Sequence, residues 1–196
     1  MQRKRAATSA DVHELIAQRW SPRAFDADAK VTEEQLRALL EAARWAPSFG
    51  NTQPARFLVG RKGDAVFDRI FGTLTKRNQS WVRRTGALLA GLAVTSNEKG
   101  DIPYAEYGVA LAAQNLVLQA VAAGLAGHQM AGFDADALHR EFALPEHVRP
   151  VVTIAVGVPA DAEVLGEQRL VDRERSERSR LPLAEFALAG WDVPAF

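Results

Sequence analysis

The sequence predicts an α+β fold, and three observations carry that reading. Several stretches repeat apolar residues at helical spacing behind recognisable caps, and short apolar runs have a strand's length. Strands and helices also mix without the strict alternation of a doubly wound sheet. Thr8 or Ser9 is placed to cap a first helix whose Val12, Leu15 and Ile16 share a face, with Pro22 just past its end. Thr32-Glu33-Glu34-Gln35 has the pattern of a capping box and opens a second helix, in which Leu36, Leu39, Leu40 and Ala43 recur until Pro47 ends it. Residues 47–54 then read as a loop, 57–60 as a short strand and 65–74 as a third helix. Residues 88–95 form a compact apolar run of strand length, followed by a polar loop at 96–103 and a long uncharged helix from about 104 to 126. Asp134 is placed to cap a short helix reaching Phe142, and VVTIAVG at 151–157 is the clearest strand. Residues 161–180 are polar and rich in Arg and Glu, and an apolar tail follows. No repeat or linker divides the chain, so one domain over 1–196 is expected.

A chain of 196 residues can bury a core of its own. Its 24 basic and 24 acidic side chains cancel, which leaves no electrostatic footprint for a nucleic-acid backbone. Without cysteine there is no disulfide, no thiolate nucleophile and no Cys-ligated metal, as fits a reducing compartment. The N-terminal segment has basic residues but no apolar stretch of a secretory signal, so a cytoplasmic protein is expected.

The charge is unevenly spread, for no Asp, Glu, Lys or Arg occurs between Glu106 and Asp134. That stretch exceeds the roughly 20 residues that cross a bilayer. Gln114, Asn115 and Gln119 in its middle, its many alanines and the lack of a basic flank or aromatic belt argue against a membrane span. It reads instead as a helix of the core or of a subunit interface.

Several catalytic patterns are missing: there is no GxSxG elbow, Walker A loop, GxGxxG after a strand, or HExxH. His13, His128, His139 and His147 show no metal spacing, and His139 and His147 read as surface residues. An enzyme built this way would take its reactive centre from a cofactor.

Three segments are candidates for one site. Arg19-Trp20-Ser21-Pro22-Arg23 sets two guanidiniums and a hydroxyl around a helix exit, where they could hold a phosphate, or simply complement the helix dipole. Arg178-Ser179-Arg180 repeats the pattern near the other end, within a run that also reads as a solvated face. Residues 47–54, Pro-Ser-Phe-Gly-Asn-Thr-Gln-Pro, form a Pro-bounded loop. It presents the side chains that read a polar heterocycle, or that merely tie a loop down.

In order along the chain, R-x-S-x-R, then A-P-S-x-x-N-x-Q-P, then Y-x-x-x-G…Q-N-L-x-L-Q-A…G-L…GFD, then VVTIAVGVP, then R-S-R-L-P resemble the nitroreductase family of FMN-dependent oxidoreductases, from about Val12 to Pro182. The resemblance implies a three-layer fold with a central, mostly antiparallel sheet flanked by helices, in an intertwined homodimer with FMN sites at its interface. It implies that Arg19, Trp20 through its backbone, Ser21 and Arg23 wrap the FMN ribityl and phosphate, and that Arg178 and Arg180 complete the phosphate site. It places Pro47, Ser48, Asn51 and Gln53 against the flavin ring, commonly from the second subunit. It also matches Gln129-Met130-Ala131-Gly132 to the turn whose backbone N–H groups face the ring edge at N5 and O4. Asn78 is a further candidate contact. The long uncharged helix would lie at the dimer core, with Ala110, Ala112, Ala113, Ala120 and Ala122 allowing close packing, and the tail could embrace the partner.

The chain departs from the family pattern twice. Ala55 follows Gln53-Pro54 where Trp is common, and Ala131 stands where some members have an acid. The implied activity moves electrons from NADH or NADPH through flavin N5 to a nitroaromatic or quinone by a two-step ping-pong mechanism, with no metal and no catalytic side chain. The alternatives are another reaction on the same fold, such as dehydrogenation, dehalogenation or flavin fragmentation, or a non-catalytic flavin-binding dimer.

Overall fold

The structure is a computed structural model that describes residues 4–196; residues 1–3, the start of the segment read as lacking a secretory signal, lie outside it. Its elements in order are α1 (Glu14–Gln18), α2 (Glu33–Arg44), β1 (Ala55–Arg61), α3 (Ala65–Thr73), α4 (Lys76–Val82), β2 (Ala87–Val94), β3 (Ser96–Asn97) and β4 (Gly100–Asp101). After these come α5 (Ala105–Ala122), β5 (Ala126–Met130), α6 (Ala135–Glu141), β6 (Val148–Gly157), α7 (Gln168–Arg175), α8 (Leu183–Phe186), β7 (Leu188–Gly190) and β8 (Val193–Pro194).

Four strands in the order β1-β2-β6-β5, every pair antiparallel, form the central sheet. The side-chain period of two sorts its residues into two layers. Leu89, Ile154 and Val156 point to one face, where they pack with Leu36 and Leu39 of α2 and with Ala113, Leu116 and Ala120 of α5. Leu88, Ala90 and Ala155 point to the other, against Phe67 and Ile70 of α3, Trp81 of α4 and Leu138 of α6. Because helices cover both faces, β2 is buried along nearly its whole length, which is why it reads as an unbroken apolar run. The mixed fold with a central antiparallel sheet flanked by helices is therefore as the sequence predicts.

Local chemistry explains the boundaries. The capping box of α2 is formed in full: Thr32 Oγ1 accepts from Gln35 N at 3.1 Å and Gln35 Oε1 accepts from Thr32 N at 2.9 Å. Asp134 caps α6 through Ala137 N at 2.8 Å. Two expectations are corrected. The first helix begins later than Thr8 or Ser9 would set it, because His13 Nδ1 accepts from Leu15 N and takes the cap. The long helix stops at Ala122 rather than Ala126: Gly124 adopts φ 74, the left-handed turn that ends helices, and Ala126–Met130 leaves as edge strand β5. Among the described residues no helix is long and apolar enough to cross a membrane.

The outer face of α5 keeps Tyr107, Ala110 and Gln114 exposed, with Leu111, Leu118 and Val121 half-buried, and carries no charge from residue 107 on. Beyond α7 the chain turns apolar yet stays in solvent: Phe186, Trp191 and Phe196 are 78%, 89% and 81% exposed.

Candidate active site

The chain segment after α1 runs past the end of β6, to which it is tied by Asp26 N–Val158 O and Ala160 N–Ala24 O at 2.9 and 3.0 Å. This anchoring fixes Arg19, Ser21 and Arg23 on a rigid stretch. Arg19 is half-buried, and its Nη1 reaches Ser21 Oγ at 3.4 Å. From the other end of the sequence, the residues after α7 return to the same place. Arg178 Nη1 donates to Ala17 O at 2.8 Å, closing the end of α1, and to Lys4 O at 2.7 Å.

Burial and then the Arg180 charge push the Arg19 guanidinium below its usual value, and burial followed by Arg19 and Arg180 does the same to Arg178. Among the described residues none of the three forms an ion pair. Three cations brought together from opposite ends of a chain, without an acid to neutralise them, make a place for an anion with several acceptor oxygens. Arg23 sits one step inward: burial and Arg173 lower it while Glu174 raises it. A cavity of about 440 Å³ opens beside the group, lined in part by Lys4, Trp20, Glu174 and Arg178.

His128 links this cluster to the rest of the site. Its Nδ1 lies 2.7 Å from Pro22 O, and its ring packs on Trp81 at 4.6 Å between centroids. The residue is buried, and nothing in its spacing from other histidines announced it. Burial is the main cause that holds the imidazole at about 4, well below 6.5; the Pro22 carbonyl opposes this, and the Arg23 and Arg19 charges add to it. The ring is therefore neutral near pH 7 and can donate from Nδ1.

The sign of the linkage follows. Between about pH 6.5 and 4 the unfolded chain binds this proton and the folded one does not. The stability that the neutral ring contributes is thus complete above 6.5 and lost as pH falls toward 4. The expected loss is about 3 kcal/mol across that window. Urea unfolding at several pH values tests this, and His128→Gln should flatten that part of the profile; an unchanged slope in the variant would refute the assignment.

Directly after His128 comes Gln129-Met130-Ala131-Gly132, which carries the end of β5 into a turn. The first turn of α4 clamps it from behind: Thr75 N and Asn78 Nδ2 both donate to Gly132 O, at 3.0 and 2.9 Å. Asn78 thus supports the turn. A Cβ on residue 132 would lie 2.5 Å from Asn78 Nδ2, so glycine is what allows this close approach. With the carbonyl fixed backward, the turn's outward edge can offer main-chain donors to a ligand.

The loop carrying Pro47, Ser48, Asn51 and Gln53 lies elsewhere. It leads into β1, at the opposite edge of the sheet from β5, three strand spacings or about 14 Å away. Ser48 Oγ accepts from Gln53 N at 2.9 Å, and buried Pro54 packs against Gly108 of α5. Asn51, Gln53 and Tyr104 hold left-handed backbones with φ 56, 49 and 57, and the Phe49 and Tyr104 rings meet at 5.5 Å. Backbone strain of about 1–3 kcal/mol per residue persists only where the surroundings impose it, often at functional surfaces. Pro47, Ser48 and Gln53 also line a small cavity of about 90 Å³. One chain therefore unites Arg19, Ser21, Arg178 and Arg180, and joins them through His128 to the turn at 129–132, but holds the 47–54 loop apart. Among the described residues no group of three or more His, Cys, Asp or Glu is arranged to hold a metal.

Comparison with known proteins identifies the family of the chain and the fold it shares. The model of the nitroreductase family matches residues 16–158, more than half of the chain. A 15.4 kDa protein of Mycolicibacterium smegmatis is 32% identical over 148 residues, covering 71% of this chain and 99% of its own length. The oxygen-insensitive NAD(P)H nitroreductase of Salmonella typhimurium is 25% identical over 191 residues, covering 75% of this chain and 88% of its own. Among solved structures, an oxidoreductase containing FMN superposes with a TM-score of 0.88 at 29% identity, covering 97% of this chain and 96% of that one. A Desulfovibrio desulfuricans protein described as a nitroreductase, in complex with FMN, gives a TM-score of 0.67 at 28% identity, covering 90% of this chain and 94% of that one.

Proposed function

The chain belongs to the nitroreductase family, an oxidoreductase family, and on that premise we propose that it is a cytoplasmic, FMN-dependent enzyme passing electrons from NADH or NADPH to a nitroaromatic or quinone. It works as one domain over residues 1–196, paired in a homodimer. The observation that carries this reading is the meeting of Arg19, Arg178 and Arg180 without an acidic partner among the described residues.

FMN, when bound, would supply the two-electron redox chemistry that links a nicotinamide donor to the acceptor. The residues present suit such a group. Arg19, Ser21, Arg23, Arg178 and Arg180 hold the phosphate, with Trp20 contributing its main chain beside them. Gln129, Met130, Ala131 and Gly132 offer uncharged backbone donors at the ring edge, so that this side of the site adds no titrating group of its own. Ala131 in place of an acid leaves the edge open to neutral and anionic acceptors alike. Pro47, Ser48, Asn51 and Gln53 close the site from the partner copy, because their own chain sets them at the far edge of the sheet. The charge-free outer face of α5 and the exposed tail after α7 form the contacts between copies.

The absorption spectrum of the purified protein tests the proposal. Oxidised-flavin bands are expected, and anaerobic NADH or NADPH should bleach them. A protein that shows no such bands even after addition of FMN would end this reading.

A further inference from the structure

The carboxylate of Glu174 is buried, 4% exposed, within a run of Arg and Glu that reads as a solvated face. A carboxylate taken out of water is costly unless its oxygens find donors. Here Oε1 accepts two main-chain N–H groups from a turn some 150 residues away in sequence, Arg23 N at 2.8 Å and Ala24 N at 3.0 Å, while Oε2 is buried and accepts none among the described residues. Lys4 Nζ donates to the carbonyl of the same residue at 2.6 Å and lies over the Trp20 ring at 4.7 Å. The end of α7 is thereby fastened to both sides of the turn that carries Ser21 and Arg23, and Arg178 and Arg180 follow directly.

We propose that Glu174 is the positioning residue of the phosphate site: by accepting from the Arg23 and Ala24 amides it sets the N-terminal arginines and the C-terminal arginines in register. This rests on the reading of that site as the flavin phosphate site. Its hydrogen bonds go to the main chain of Arg23 and Ala24, so it positions the Arg23 side chain through that backbone. An ordinary core residue would, when lost, weaken the protein toward any flavin equally. A residue that registers the phosphate cradle should matter only for the ligand that has a phosphate.

The test is fluorescence titration of the deflavinated full-length protein with FMN and with riboflavin, which lacks the phosphate. Glu174→Ala should weaken FMN at least tenfold and riboflavin by less than threefold. Glu174→Gln keeps an acceptor oxygen and should stay within about threefold of the parent for both. Glu174→Asp, whose carboxylate is drawn back by one methylene, should lose FMN affinity to an intermediate extent, and it serves if the Ala variant does not fold. Equal losses for both flavins, unchanged FMN affinity in both the Ala and the Asp variant, or a Gln variant as weak as the Ala one would each overturn the role of Glu174. If the parent protein itself does not prefer FMN to riboflavin, it is the phosphate site that fails.

Discussion

A double variant, Arg19→Ala with Arg180→Ala, is expected to purify largely colourless. Each removes a guanidinium that has no acidic partner among the described residues, and a charge-assisted bond of this kind contributes about 1.5–3 kcal/mol. The two together correspond to a loss of roughly a hundredfold or more in FMN affinity. Arg178 is the less clean choice, although the sequence ranks it equally. Its Nη1 also holds Ala17 O and Lys4 O, so its removal costs folding stability as well as ligand binding. The ratio of flavin to protein absorbance, with a urea midpoint as control, measures the effect. A double variant that keeps its full flavin content would remove the phosphate site from this region.

The second large effect is expected far from those arginines. Ala110 and Gln114 lie one turn apart on the exposed face of α5, in the stretch without charges. Ala110→Glu with Gln114→Glu puts four like charges into the proposed contact between two copies, where desolvation and mutual repulsion both oppose association. Light scattering should find a monomer, and the same sample should have lost its flavin, since the 47–54 loop can no longer reach the ring. The α5 contacts with the sheet use the opposite side of the helix, so the fold should survive by circular dichroism. A dimer that persists, or a monomer that still binds FMN tightly, would contradict the shared site.

Much of this architecture was legible in the sequence because its signals are local. The Thr32 capping box, the Asp134 cap and the VVTIAVG strand each depend on residues within a few positions of one another. The two corrections have a physical origin. An apolar run does not distinguish the end of a helix from the start of a buried strand, and the 105–130 stretch contains both, divided by Gly124. His13 displaced two better-known capping residues because its ring reached Leu15 N.

The missed residues share a different cause. Glu174 and His128 both take their meaning from main-chain groups more than 100 residues distant, at Arg23, Ala24 and Pro22. No spacing rule connects residues so far apart. The two Arg segments stand out in the sequence as like charges near both ends of the chain, and the fold brings Arg19 close to Arg178 and Arg180.

The separation of the 47–54 loop from the arginine cluster, across the width of the sheet, has a genetic consequence. In the proposed dimer each flavin site draws its phosphate cradle from one copy and its loop from the other. A chain damaged only in the cradle and a chain damaged only in the loop are each inactive when paired with themselves. Mixed in one cell, they assemble heterodimers in which both lesions fall on the same site and the second site is whole. Two dead alleles would therefore restore part of the activity between them.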